Sequence, residues 1–219
     1  MTFARNSLLI IIILLSIPIK SYSETDTLKN KIGLSYSLGR QDIFPFGSKD
    51  YSYEIKGFKL VFNHILSSGR ITLELQIEPS VYKANHQLLN PSFVKPGDYP
   101  DYLVKREVFT KTKTINEFAL NAGIVARYCF SDMISVFILG SIGPMYSGTE
   151  TERLAKGFAF SDIVEAGISV KKNRIIIELR PGLRHVSNAN LQSPNSGHNS
   201  STIDIGILYN FQKFKNPHQ

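Results

Sequence analysis

Along most of this chain apolar and polar positions alternate with a period of two, the repeat of an extended strand whose successive side chains point to opposite faces. From Lys31 to Gly39, Ile32, Leu34, Tyr36 and Leu38 share one face and Gly33, Ser35 and Ser37 the other. The stretch Arg70 to Tyr82 sets Ile71, Leu73, Leu75 and Ile77 against Thr72, Glu74, Gln76 and Glu78. Glu117 to Tyr128 sets Phe118, Leu120, Ala122, Ile124, Ala126 and Tyr128 against Ala119, Asn121, Gly123 and Arg127. Ser201 to Phe211 sets Ile203, Ile205, Ile207, Tyr209 and Phe211 against Thr202, Asp204, Gly206 and Asn210. Tyr51 to Ile65, Ile134 to Tyr146, Gly157 to Val170 and Arg174 to Ser187 follow the repeat less strictly. Together these stretches predict eight strands, each with one apolar face.

The connections fall into two kinds that alternate. Leu66 to Arg70, Cys129 to Met133 and Lys171 to Arg174 are short, whereas Arg40 to Asp50, Lys83 to Thr114, Ser147 to Lys156 and Asn188 to Ser200 are longer and polar. An even number of alternating strands, with short turns at one end and long loops at the other, is the pattern of a bacterial outer-membrane barrel. A soluble sandwich also alternates, but it need not sort loop length by end. The non-apolar set (Ser35, Glu74, Asn121, Gly123, Arg127, Glu165, Gly167, Glu178, Arg180, Arg184, Asp204) suits a narrow lumen in which small residues pack and charges pair. The expected fold is therefore all-β, an eight-stranded antiparallel transmembrane β-barrel. Both termini then lie in the periplasm, the four long loops lie outside the cell, and Tyr209, Phe211 and Phe214 form the periplasmic aromatic girdle.

The N-terminus changes the picture in one respect. Arg5 precedes an apolar run from Leu8 to Leu15, extended through Ile17 and Ile19, and small residues follow at Ser21 and Ser23. That layout predicts a secretory signal peptide over residues 1–23, cleaved after Ser23, with one barrel domain over 24–219. The apolar run is shorter than the ~20 residues a membrane-crossing helix needs. Cys129 is the only cysteine, so no internal disulfide is available, and no cysteine stands near the cleavage point for a lipid anchor. The formal charge of +7 falls to +5 once Arg5 and Lys20 leave, since residues 1–23 carry no acid. A modest basic excess favours anionic surfaces, and export makes that surface lipid.

Strand parity singles out one polar cluster. In the seventh predicted strand Ile177, Leu179, Pro181 and Leu183 take the lipid-facing positions, and His185 and Ser187 continue that set. In the eighth, stepping back by twos from Ile207, Ile205 and Ile203 reaches Ser201 and Asn199. His185, Ser187 and Asn199 are thus expected on the outer wall at the extracellular rim, where a bare scaffold gains nothing from polar groups. A histidine and a serine at i and i+2 on one face are the base and nucleophile types of acyl transfer. No carboxylate stands beside His185 or His198 at ligand spacing, so no metal site is expected, and neither a phosphate-binding glycine loop nor a nucleic-acid motif is present.

The segment "HVSNANLQSPNSGHN", preceded by "ELRPGLR" and followed by a final amphipathic strand, resembles the H-x-S-N-A and P-N-x-G motif of the outer-membrane lipid A 3-O-deacylases of the PagL family, also called acyloxyacyl hydrolases. The resemblance implies a serine esterase that removes the 3-O-linked acyl chain of lipid A in the outer leaflet without metal or cofactor. It implies His185 as general base and Ser187 as nucleophile, with Asn188, Asn195 and the backbone around Gly197 holding the loop and the oxyanion. Lipid A, or lipopolysaccharide, is then the partner, and Lys95, Lys105, Arg106, Lys111 and Lys113 are candidates for attracting its phosphorylated headgroup. The sequence departs from the family at one point: well-known members carry a glutamate two residues past the motif's glycine, where this chain has Asn199. An amide oxygen orients an imidazole but brings no charge, and in a serine protease the matching Asp to Asn change lowers turnover about 10⁴-fold. Glu178 and Asp204 are expected in the lumen, Asp162 shares the lipid-facing parity of Val164, and His198 reads as a loop residue. A non-catalytic structural or adhesin-like barrel that keeps the family's fold is the alternative.

Overall fold

The structure is a computed structural model that describes residues 29–211. The expected signal peptide, the cleavage point and Phe214 lie outside the described residues. Eight antiparallel strands follow one another in chain order: β1 (Asn30–Arg40), β2 (Tyr51–Ser67), β3 (Ile71–Leu88), β4 (Lys113–Cys129), β5 (Ile134–Ser147), β6 (Gly157–Lys172), β7 (Ile175–Ser187) and β8 (His198–Phe211). Each pairs with its neighbours and β1 closes on β8, from Asn30 opposite Phe211 to Arg40 opposite Ser201, so no sheet edge is left open. Among the described residues no helix is long and apolar enough to cross a membrane; the crossing elements are strands.

The parity read from the sequence is the parity of the barrel. Leu34, Phe58, Leu120, Ile138, Val164 and Ile205 are among the large apolar side chains that stand exposed on the outer wall. In water such a wall would be unstable, and hydrocarbon is the solvent it fits. The inward set is polar and buried, and its charges interlock in tiers. Arg127 bridges Glu74 and Glu178, at 2.8 Å each, with Lys31 also on Glu74. Lys59 Nζ reaches Asp204 at 2.7 Å, Glu78 at 3.0 Å and Glu165 at 3.1 Å, and Arg180 contacts the same three carboxylates. Arg184 meets Glu117 at 2.8 Å, and the Tyr53 hydroxyl donates to that carboxylate.

Close strand approach depends on small residues. A Cβ on Gly143 would collide with the Leu120 carbonyl, at the point where the β4–β5 register skips two pairs beside Pro144, which has no N–H to give. Gly143→Ala is expected to lower stability by about 1–3 kcal/mol, seen as an earlier loss of the compact gel band on heating.

The barrel extends above the membrane, and there the alternation reverses. Tyr51, Tyr53, Ile55, Tyr82, Ala84 and Ile115 pack inside as an apolar cluster, while Glu54, Lys56, Lys83, Asn85, Thr114 and Asn116 face out. The sequence placed Lys83 to Thr114 in a loop; instead β3 runs on to Leu88 and β4 starts at Lys113. Between them lie a short 3-10 turn at Pro91–Phe93 and a helix, α1 (Tyr102–Phe109), whose Phe109 packs on Leu88 and Val94.

Candidate functional site

His185 and Ser187 sit at the extracellular end of β7 and Asn199 near the start of β8, all half-buried on the outer face. The register sets His185 directly opposite Asn199, and His185 Nδ1 lies 2.7 Å from Asn199 Oδ1. An amide oxygen only accepts, so Nδ1 is the donor here, and in the neutral ring the lone pair is then on Nε2. That is the tautomer of a base. The Asn199 backbone N–H in turn donates to the Tyr51 hydroxyl at 3.3 Å, which ties β8 to β2 across the barrel mouth.

The loop between β7 and β8 folds back onto the same point. Gly197 takes a positive φ of 69°, and a side chain there would lie 2.6 Å from the Val186 carbonyl, 3.1 Å from His185 Cε1 and 3.5 Å from Ser187 Cβ. Only glycine fits where the imidazole and the serine converge. Asn188 and Asn195 hold the loop's shape: the Asn188 N–H donates to Asn195 Oδ1 at 2.7 Å, and Asn188 Nδ2 donates to the carbonyls of Gln192 and Pro194. Asn195 Nδ2 gives one hydrogen to Asn190 Oδ1 at 3.0 Å, leaving its second for another acceptor. The Gly197 N–H is already spent on the Arg153 carbonyl, so around this glycine the backbone braces the loop.

Sequence reasoning missed that brace. Arg153, in the β5–β6 connection, donates from Nε to the Gly197 carbonyl at 2.7 Å while its guanidinium lies over the rings of Tyr51 and Phe93. Leu154 bridges to Asn195, and the Ala155 N–H donates to the Pro194 carbonyl. Nothing in a polar loop sequence marks such contacts, because each arginine donor here meets a backbone carbonyl. Arg153→Ala is expected to lower any activity of this site by about 10- to 100-fold through loss of alignment, with the strands intact by circular dichroism.

Other residues are placed differently from their sequence reading. His198 is the first residue of β8 and points inward: it is buried, stacks on Tyr53 with centroids 4.5 Å apart, and meets Thr151 Oγ1 at 3.1 Å. Its even parity was the available signal. Thr151 and Glu152 dip into the barrel mouth, Glu152 reaching His86 at 2.8 Å. Asp162 faces out, as its parity predicts, and lies on β6 directly opposite His185. The basic residues beyond β3 are largely engaged by nearby carboxylates and backbone carbonyls. Lys105 pairs with Glu150 at 3.3 Å, Arg106 Nε donates to the Val94 carbonyl, Lys111 pairs with Glu107, and Lys113 donates to the Glu150 carbonyl. Burial, together with Glu150 and Asp98, pushes the Tyr99 phenol up to about 12, so it stays neutral beneath Lys105. Among the described residues no cluster of three metal-ligating side chains occurs.

A family model described as "Lipid A 3-O-deacylase (PagL)" matches residues 70–207, which span β3 to the middle of β8 and include the whole motif loop. This chain belongs to the PagL family. A solved structure described as the crystal structure of the outer membrane enzyme PagL matches with a TM-score of 0.55 at 14% identity, covering 80% of this chain and 97% of that one. At that identity the likeness is one of fold. Neisserial surface protein A matches at 8% identity with a TM-score of 0.47, covering 86% of this chain and 100% of that one. The Yersinia pestis outer membrane protein Ail matches at 10% and 0.39, covering 83% and 99%. No curated protein matches the chain. Like the PagL family, this barrel belongs to the bacterial outer membrane, and its apolar outer wall fits a lipid surround.

Proposed function

We propose that this PagL-family barrel is a serine esterase that hydrolyses the 3-O-linked acyl chain of lipid A, with His185 as base and Ser187 as nucleophile. The observation that carries the reading is the 2.7 Å contact from His185 Nδ1 to Asn199 Oδ1, which leaves Nε2 without a partner while Ser187 follows two residues on along the same strand face. In the reaction the Ser187 hydroxyl proton passes to Nε2 as Oγ bonds to the acyl carbon, and the carbonyl electron pair moves onto its oxygen. The free hydrogen of Asn195 Nδ2 is the donor for that oxyanion. Collapse breaks the bond to the sugar oxygen, which takes the proton from Nε2; water then repeats the sequence on the acyl-serine and releases the fatty acid.

The location suits a lipid substrate. The tiers of paired charge fill the lumen, which leaves an acyl chain little room, whereas below His185 the outer wall carries a shallow apolar groove lined by Ala126, Val136, Ala166, Leu179 and Pro181. An ester anchored in the leaflet reaches such a site without leaving the membrane.

Lipid A from cells expressing the protein is expected to be lighter by one 3-O-linked acyl chain on mass spectrometry. Unchanged lipid A from cells with folded protein in the outer membrane would overturn the reading and leave the non-catalytic barrel.

A further inference from the structure

On the outer face His185 has a cross-strand neighbour on each side: Asn199 on β8 and Asp162 on β6. Residues directly opposite in an antiparallel pair have their Cβ atoms about 4.5–5.5 Å apart, so both side chains flank the imidazole, Asn199 in a hydrogen bond with it and Asp162 Oδ1 without one. Asn199 supplies a hydrogen bond and no charge. Asp162 is half-buried at a position whose neighbours along β6, Phe160 and Val164, face lipid, and its Oδ1 is buried with no hydrogen-bond partner among the described residues. It is also the only outward-facing carboxylate on β6, β7 and β8, since Glu165, Glu178 and Asp204 are spent in the lumen. An unpartnered carboxylate at the lipid boundary is costly to the fold, and a histidine that must become positive is the group beside it.

We infer that Asp162 is the charge partner of His185: Asn199 orients the imidazole from one side, and Asp162 stabilises the imidazolium from the other. This rests on His185 acting as the base for Ser187. It divides between two strands the orienting and charge-balancing roles that one carboxylate performs in a serine triad. The other charged or titratable groups near His185 do not substitute. Arg153, from the β5–β6 connection, is positive and bound to the Gly197 carbonyl, while Arg184 and His198 lie on the luminal side, held by Glu117 and Thr151.

The test uses the full-length protein folded in detergent micelles, with the His185 ring titration followed by NMR and the turnover of lipid A in the same micelles. In Asp162→Asn the titration midpoint is expected to fall by about one pH unit, a tenfold loss of proton affinity. The acid limb of kcat/KM moves down with it, and kcat drops 10- to 100-fold with KM changed less than twofold. Asn199→Glu added to Asp162→Asn restores both midpoint and kcat, by returning the charge from the other strand. A midpoint that does not move in Asp162→Asn, or a loss confined to KM, overturns the inference and makes Asp162 a substrate contact or a structural residue. If the unmodified protein releases no fatty acid the esterase reading fails instead, and the titration still reports whether Asp162 faces the imidazole as its charge partner.

Discussion

Ser187→Ala is expected to reduce fatty-acid release from lipid A about 10⁴-fold or more, to the level that binding and oxyanion contacts alone sustain. The change removes one oxygen from a half-buried rim position, so the barrel should fold and migrate as before. His185→Ala should cost a similar amount, and the double variant little more than either single one, because nucleophile and base act as a unit. Release of the 3-O-linked chain, followed by mass spectrometry of lipid A incubated with purified protein, reads all three. Additive losses would mean that His185 and Ser187 act separately, and full activity in Ser187→Ala would move the nucleophile elsewhere.

Lys59→Met is expected to produce the largest loss of stability, about 3–5 kcal/mol. The Lys59 ammonium is buried 2.7–3.1 Å from three carboxylates, and without it Asp204, Glu78 and Glu165 share only Arg180. A methionine fills the volume but returns no charge, so the cost is that of uncompensated anions in a place water enters poorly. The midpoint of urea unfolding in lipid vesicles measures it. Because the outer-wall site touches none of this tier, molecules that remain folded should keep the unmodified turnover; a stability change under 1 kcal/mol would show that the tier is solvated.

The eight strands were legible because lipid and lumen impose opposite demands on alternate residues, and a period of two carries both. Legibility ended where the solvent changes. Above the membrane Tyr82, Ala84 and Leu88 face in and Lys83, Asn85 and Gln87 face out, the reverse of Leu75 and Ile77 out with Gln76 and Glu78 in. A stretch that inverts its polarity midway reads as the beginning of a loop, although β3 runs through it to Leu88. At the site, the parity of β7 and β8 put His185, Ser187 and Asn199 on one face across the connection of residues 188–197. The pairing of Asp162 with His185 was not accessible, because an outward parity on one strand fixes a face but not a height along its neighbour. Arg153 left no mark at all, since its partners are carbonyls that every residue possesses.

The interlocked tiers have one more effect. A cylinder crossing a membrane is a conduit unless something fills it, and here the filling is charge that has already found its counter-charge, capped at the outer mouth by Thr151 and Glu152. Such a filling opposes the passage of hydrated ions and small solutes. The cell can therefore carry many copies of this protein without making its outer barrier leaky, and planar bilayers containing it should stay electrically silent.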